Sequence, residues 1–146
     1  MASVSTYLNF SNCTEEAFNF YKSVFGTEFT PPGIRRMGDM PPMEGMPPTP
    51  DALKNLVMHV ELPITGGHLL MGTDAPEQMG FKITFGNNIH IQLMPDSREE
   101  TARLFKGLSE GGIVEMELQE MFWGAYFGSC TDKYGVKWMF NCLNQH

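Results

Sequence analysis

Cysteine, basic charge and long apolar runs are all scarce in this sequence, and each shortage removes a class of protein. The three cysteines, Cys13, Cys130 and Cys142, are odd in number and lack a CxxC spacing, which argues against a disulfide scaffold and for reduced thiols. Ten Lys and Arg stand against 17 Asp and Glu, and the net charge of -7 has the wrong sign for neutralising phosphates, so no nucleic acid is expected as a partner. Apolar stretches such as Leu69 to Met71 fall far short of the roughly 20 residues that a membrane-spanning helix requires. Met1 to Phe10 has neither the basic start nor the apolar core of a signal peptide. No membrane association is expected, and the cytoplasm is the expected location.

What is present is the composition of a chain with a core. Its 146 residues are 42% hydrophobic and 12% aromatic, the size and content of one domain. Ser3 to Phe10 predicts a strand. Asn12 then predicts a helix cap, with Glu15 completing a capping box, and the helix runs to Gly26. Ala17, Phe18, Tyr21, Val24 and Phe25 recur at helical spacing and lay one face on a core. From Pro31 to Pro50 the chain turns to Pro, Gly and Met, which predicts a weak edge strand followed by a loop. Leu56 to Leu62 and His68 to Thr73 predict two strands joined at Gly66-Gly67, and Asn88 to Met94 another. A second helix, capped at Asp96 or Ser97, carries Ala102, Leu104, Phe105 and Leu108 and stops at Gly111-Gly112. Ile113 to Gln119, Ala125 to Thr131 and Val136 to Cys142 complete the strands.

The two halves repeat as strand, helix and three strands. The helices agree under a shift of 84, which lays Tyr21, Lys22 and Val24 on Phe105, Lys106 and Leu108; the last strands agree under a shift of 68, which lays Gly67, Leu70 and Met71 on Gly135, Trp138 and Met139. The Pro/Met-rich loop over 31–50 absorbs the difference. The reading is an α+β fold, a tandem βαβββ duplication within one domain, with module one at 1–80 and module two at 81–146.

A tandem βαβββ chain of this length resembles the vicinal oxygen chelate superfamily, the fold of glyoxalases, bleomycin-resistance proteins and extradiol dioxygenases. Tyr7-Leu8-Asn9-Phe10 with Asn12-Cys13, Val57-Met58-His59-Val60, Leu70 to Asp74, Gln119 to Gly124 and Thr131 to Asn141 look like its PhnB-like branch. The resemblance implies curved mixed sheets that form a cleft for a small molecule. Members of the branch are often labelled 3-demethylubiquinone-9 3-methyltransferases. Methyl transfer from S-adenosylmethionine ordinarily calls for a Gly-rich turn after a parallel strand, and no GxGxxG occurs here, which argues against that activity.

The resemblance also implies where a metal would sit, since each module of the superfamily's metalloenzymes gives one ligand from its first strand and one from its last. Strand parity finds the corresponding positions. Ile89, Ile91 and Leu93 should face the helix and turn His90 and Gln92 the other way; Leu8 and Phe10 likewise turn Ser5, Tyr7 and Asn9 away from the helix. The helix shift of 84 would instead pair His90 with Thr6, so the first strand's register stays open between Ser5 and Thr6. Met71 and Met139 occupy the last strands. The set Ser5, Met71, His90 and Met139 lacks the carboxylates of the metalloenzymes, so the ligand set for a divalent metal is incomplete; His90 is its one candidate ligand, and a divalent metal stays open as the one cofactor the fold suggests.

Other residues carry chemistry of their own. His59 and Glu61 share a strand face as the one inward acid/base pair; they read first as a hydrogen-bonded pair at the sheet surface or a dimer seam, and otherwise as a catalytic pair, since a carboxyl in a largely apolar cavity is suited to act as a general base alpha to a carbonyl. Cys13 sits at a helix start, where a thiol pKa is lowered, but no His or Asp can be placed beside it, and it reads as packing before it reads as a nucleophile. Met37, Met40, Met43 and Met46 recur every third residue, the period of polyproline II. Glu115, Glu117 and Glu120 read as a solvated strand face. Two functions follow: an enzyme acting on a small oxygen-bearing compound with His59, Glu61 and His90, or a metal-free binding protein of the bleomycin-resistance type lined by Tyr7, Met71, Trp123 and Met139. Sheet edges that relatives pair across a two-fold axis imply a homodimer.

Overall fold

The computed structural model describes residues 1–41 and 43–144. The chain forms two compact units, Met1–Ile83 and Thr84–His146. The first contains strand β1 (Thr6–Phe10), helix α1 (Thr14–Phe25), and strands β2 (Arg35–Arg36), β3 (Val57–Pro63) and β4 (Leu69–Asp74). The second repeats the order with β5 (Ile91–Leu93), α2 (Arg98–Ser109), β6 (Ile113–Glu120), β7 (Tyr126–Thr131) and β8 (Lys137–Cys142). The sheets have the same topology, β1-β4-β3-β2 and β5-β8-β7-β6, with the first pair of each parallel and the rest antiparallel.

The duplication holds at the level of hydrogen bonds. Ile64 donates its N–H to His68 O at 2.8 Å and accepts from Gly67 N at 2.9 Å; Asp132 does the same with Val136 and Gly135 at 2.8 and 3.0 Å. These are the shift-68 partners, in the turns that lead into β4 and β8.

Each helix covers one face of its own sheet. In the first unit Ala17, Phe18, Tyr21 and Val24 of α1 are buried together with Phe10, Val57, Val60, Leu62 and Leu70. Fully burying a side chain of that size contributes about 1.5–3 kcal/mol. β4 comes so close under α1 that only glycine fits at Gly72, because a Cβ there would strike the Phe18 ring. In the second unit Leu104, Phe105 and Leu108 are buried with Leu93, Cys130, Trp138 and Phe140, the Phe105 and Phe140 rings meeting edge to face at 5.2 Å.

Several local expectations change. Asn12 is not the cap of α1: it is left-handed at φ 66, and Cys13 takes the cap position with no side-chain hydrogen bond. The buried carboxylate of Asp74, at the end of β4, does the capping, accepting from Thr14 N at 3.0 Å and Val57 N at 2.8 Å. Ser97, rather than Asp96, caps α2, its Oγ accepting from Glu100 N at 3.1 Å. Ala102 is exposed, and Thr101 replaces it on the buried face with its hydroxyl bonded to Ser97 O at 2.7 Å. The strand expected over Asn88 to Met94 is only Ile91–Leu93, since β5 pairs with β8 over three residues, and Ile89 lies outside it, exposed. The period-three methionines do not follow polyproline II throughout, because Met40 N closes a turn on Met37 O and Met46 N one on Met43 O. No helix among the described residues is long and apolar enough to cross a membrane.

Candidate functional site

The face of the first sheet opposite α1 carries the polar chemistry of that unit. Tyr7 pairs with Met71, and Met71 with Glu61, so the three side chains share a face while Leu70 and Leu62 point into the core. β2 pairs Arg35 with His59 and then Arg36 with Val57, skipping Met58. This bulge lets Val57 and Val60, three residues apart, both reach the core while His59 stays on the open face beside Glu61.

His59 is hydrogen-bonded to a neighbour at each ring nitrogen. Its Nε2 lies 2.9 Å from Glu61 Oε1 and its Nδ1 3.2 Å from the Tyr7 hydroxyl. An ionised carboxylate only accepts, so the neutral ring carries its proton on Nε2 and turns the Nδ1 lone pair to the Tyr7 O–H. His59 and Glu61 are part-buried, whereas Tyr7 is 47% exposed and presents its oxygen at the surface. Ser5 donates to Met71 Sδ at 3.7 Å on the same face. Thr6 pairs with the buried Leu70 and bonds His68 Nε2 at 2.9 Å, so it belongs to the other side. Since Ile91 pairs with Trp138, the shift-68 partner of Leu70, Ser5 is the counterpart of His90. The connection from strand to helix is one residue shorter in the second unit, which is why the helix shift misleads here.

The second unit gathers a different group on the face opposite α2. His90 Nε2 lies 3.3 Å from Glu115 Oε1, and Lys137 Nζ donates to Glu115 Oε2 at 2.6 Å and to Thr131 Oγ1 at 2.9 Å. The Lys137 hydrogen bond, followed by that of His90, holds the Glu115 carboxyl below the usual range against the opposing effect of burial. Glu115 is thus part of an ionic cluster rather than of a solvated face, and Glu120 pairs with Arg98 at 3.1 Å. Gln92 pairs with Met139 and Met139 with Ser129 on that face. Trp123 lies apart in the β6–β7 turn, half exposed, edge to face with Phe122 at 4.9 Å and with Phe127 at 6.1 Å.

These donors fit a divalent metal poorly. Among the described residues no three His, Cys, Asp or Glu side chains group to hold an ion. The carboxylate beside His90 is already held by the Lys137 ammonium. Cys13 also departs from expectation: burial, then the charges of Asp74 and Glu16, push its thiol up rather than down. Asp74 accepts the first N–H of the helix, that of Thr14, and brings its own negative charge to the helix start beside Cys13. Arg35 and Lys137 were not among the expected site residues; Lys137 has inward strand parity, whereas Arg35 sits on a strand of two residues that shows no period.

Two βαβββ units with a polar open face on each sheet define a glyoxalase-like α+β protein. The family model described as 3-demethylubiquinone-9 3-methyltransferase matches residues 2–140, and the chain belongs to that family. It is 30% identical to Protein YjdN of Escherichia coli (strain K12) over 97% of this chain and 96% of that one. Among solved structures it resembles protein PA1353 from Pseudomonas aeruginosa (34% identity, TM-score 0.81, 97% and 98% of the chains covered). It also resembles the putative 3-demethylubiquinone-9 3-methyltransferase, PhnB protein, from Bacillus cereus (27%, TM-score 0.73, 97% and 99%). Solved glyoxalase and glyoxalase/bleomycin resistance protein/dioxygenase structures at 17% and 18% identity share the fold alone. The methyltransferase description is a family name; both sheets are mixed, each with a single parallel pair, unlike a doubly wound cofactor fold.

Proposed function

We propose that the chain binds a small oxygen-bearing molecule on the open face of its first sheet and moves a proton of that molecule through Tyr7, His59 and Glu61. The observation that carries the reading is the His59 ring, bonded at one nitrogen to Tyr7 and at the other to Glu61. A proton leaving the ligand goes to Tyr7 Oη as the phenolic proton passes to His59 Nδ1, and Glu61 stabilises the imidazolium. Arg35, opposite His59, supplies positive charge for the anion left on the ligand. A second reading, binding without reaction, is favoured by the aromatic group of Trp123, Phe122 and Phe127 in the second unit.

A thermal-shift screen of carbonyl- and hydroxyl-bearing metabolites, followed by deuterium exchange of each hit in heavy water, tests both. The first reading expects a hit that binds more weakly to His59→Gln and exchanges its acidic proton only when Tyr7 and His59 are intact. Binding without exchange favours the second, and hits indifferent to His59→Gln overturn the placement.

The proposal includes a homodimer, because the outermost strand β6 leaves Ile113, Val114 and Met116 exposed along an edge suited to a second copy. It also includes the cytoplasm, where the three free thiols would stay reduced.

A further inference from the structure

Met37, Met40, Met43, Met46 and Met79 line one pocket of about 550 Å³ in the first unit. Backbone hydrogen bonds bring them together. Met40 N donates to Met37 O at 3.3 Å and Met46 N to Met43 O at 3.2 Å, so two successive turns begin and end on methionine. Turns of this kind hold their first and last Cα atoms within about 7 Å. Met79 joins from the short 3-10 turn Glu77–Met79. Core packing does not account for the group. Met37 is 7% exposed, but Met43 and Met46 are 62% and 61% exposed, far from the burial of core residues.

The donor chemistry selects the ligand. No carboxylate, imidazole or thiol is among the described lining residues, whose polar side chains are Thr49, Lys54 and Gln78. Hard dications therefore find few of the oxygen and nitrogen ligands they need, whereas thioether sulfur is soft, uncharged at any pH and matched to a soft monovalent ion. The Lys54 ammonium is paired with Asp51 at 2.8 Å, and Asp39, Glu44 and Asp51 outnumber that one cation over 37–54, so the segment favours positive charge. We propose that this pocket is a soft-metal site that takes Cu(I) on three or four methionine thioethers. Cys130 and Cys142 are fully buried, which leaves the part-buried Cys13 as the one thiol that could compete.

Ag(I), a redox-inert ion of the same charge and softness, is the probe. It is titrated into protein carrying ¹³C-labelled methionine methyl groups, alongside the Met43→Leu/Met46→Leu double variant, which keeps the apolar volume. The expected result is that one equivalent shifts the methyl signals of Met40, Met43, Met46 and Met79 and leaves those of Met116 and Met139 in place. The variant, with unchanged melting temperature in the absence of silver, should bind at least about tenfold more weakly. Methyl signals that stay in place while silver titrates a cysteine would overturn the proposal, as would equal affinity in the leucine variant.

Discussion

The indole N–H of Trp138 donates to Asp132 Oδ2 at 2.8 Å in the core of the second unit, with both side chains buried. The other carboxylate oxygen accepts the N–H groups of Tyr134 at 2.8 Å and Val136 at 3.1 Å. One side chain thus ties the turn before β8 to the largest residue of the core. Asp132→Ala leaves three donors without this acceptor and should lower unfolding stability by about 3 kcal/mol, while Asp132→Asn keeps an acceptor oxygen and should lose about 1 kcal/mol. Urea midpoints at constant slope measure both, and equal losses would show that the hydrogen bonds are not what the carboxylate contributes.

How far the sequence showed this site depends on the element. The shared face of Tyr7, His59, Glu61 and Met71 was legible because half-buried strands alternate, and alternation assigns a face even where the ends are misplaced. Arg35 was not, because two residues contain no alternation. Glu115 was misread because β6 is exposed along nearly its whole length and bulged, so its pattern looks like solvent on both faces. The capping of α1 was hidden because its acceptor, Asp74, lies 60 residues from Thr14.

Glu115 gives the second unit an acid-sensitive element. Its carboxyl lies below its ordinary 4.5 in the folded chain, chiefly through Lys137, so the charged form favours folding. The contribution is complete above the ordinary value and is lost as pH falls through the lowered one. Glu115→Gln should therefore be less stable than the wild type at neutral pH, and the gap should shrink as the pH falls below the ordinary carboxyl value of 4.5. A gap that persists in acid would contradict the assignment.

The cysteines should be slow to react in the folded state. Burial, reinforced by Asp132 and Glu115, pushes the Cys130 thiol up to about 12, and burial, Asp74 and Glu16 raise that of Cys13. Alkylation near pH 8, followed by peptide mass mapping, should label Cys13 and Cys130 far more slowly before unfolding in guanidinium than after it. Rapid labelling of native Cys13 would restore it as a reactive thiol.

The dimer proposal makes a mass prediction. Light scattering at micromolar concentration should give twice 16.4 kDa, and Val114→Lys/Met116→Lys, which places charge on the exposed strand β6, should give the single mass with the fold retained. A wild-type chain that is monomeric throughout this range, or a charged variant that still pairs, would remove β6 from the interface.

The central claim is that the His59 ring is the working group of the open face, and its nitrogen resonances test that most directly. Two-bond ¹H–¹⁵N spectra of the histidine rings should show a proton on His59 Nε2, which faces Glu61 Oε1 at 2.9 Å. On saturation with a ligand from the screen, the Nδ1 and Nε2 signals of His59 should move while those of His68, bonded to Thr6 on the other side of the sheet, stay in place. A His59 ring that is unmoved at saturation would contradict the account.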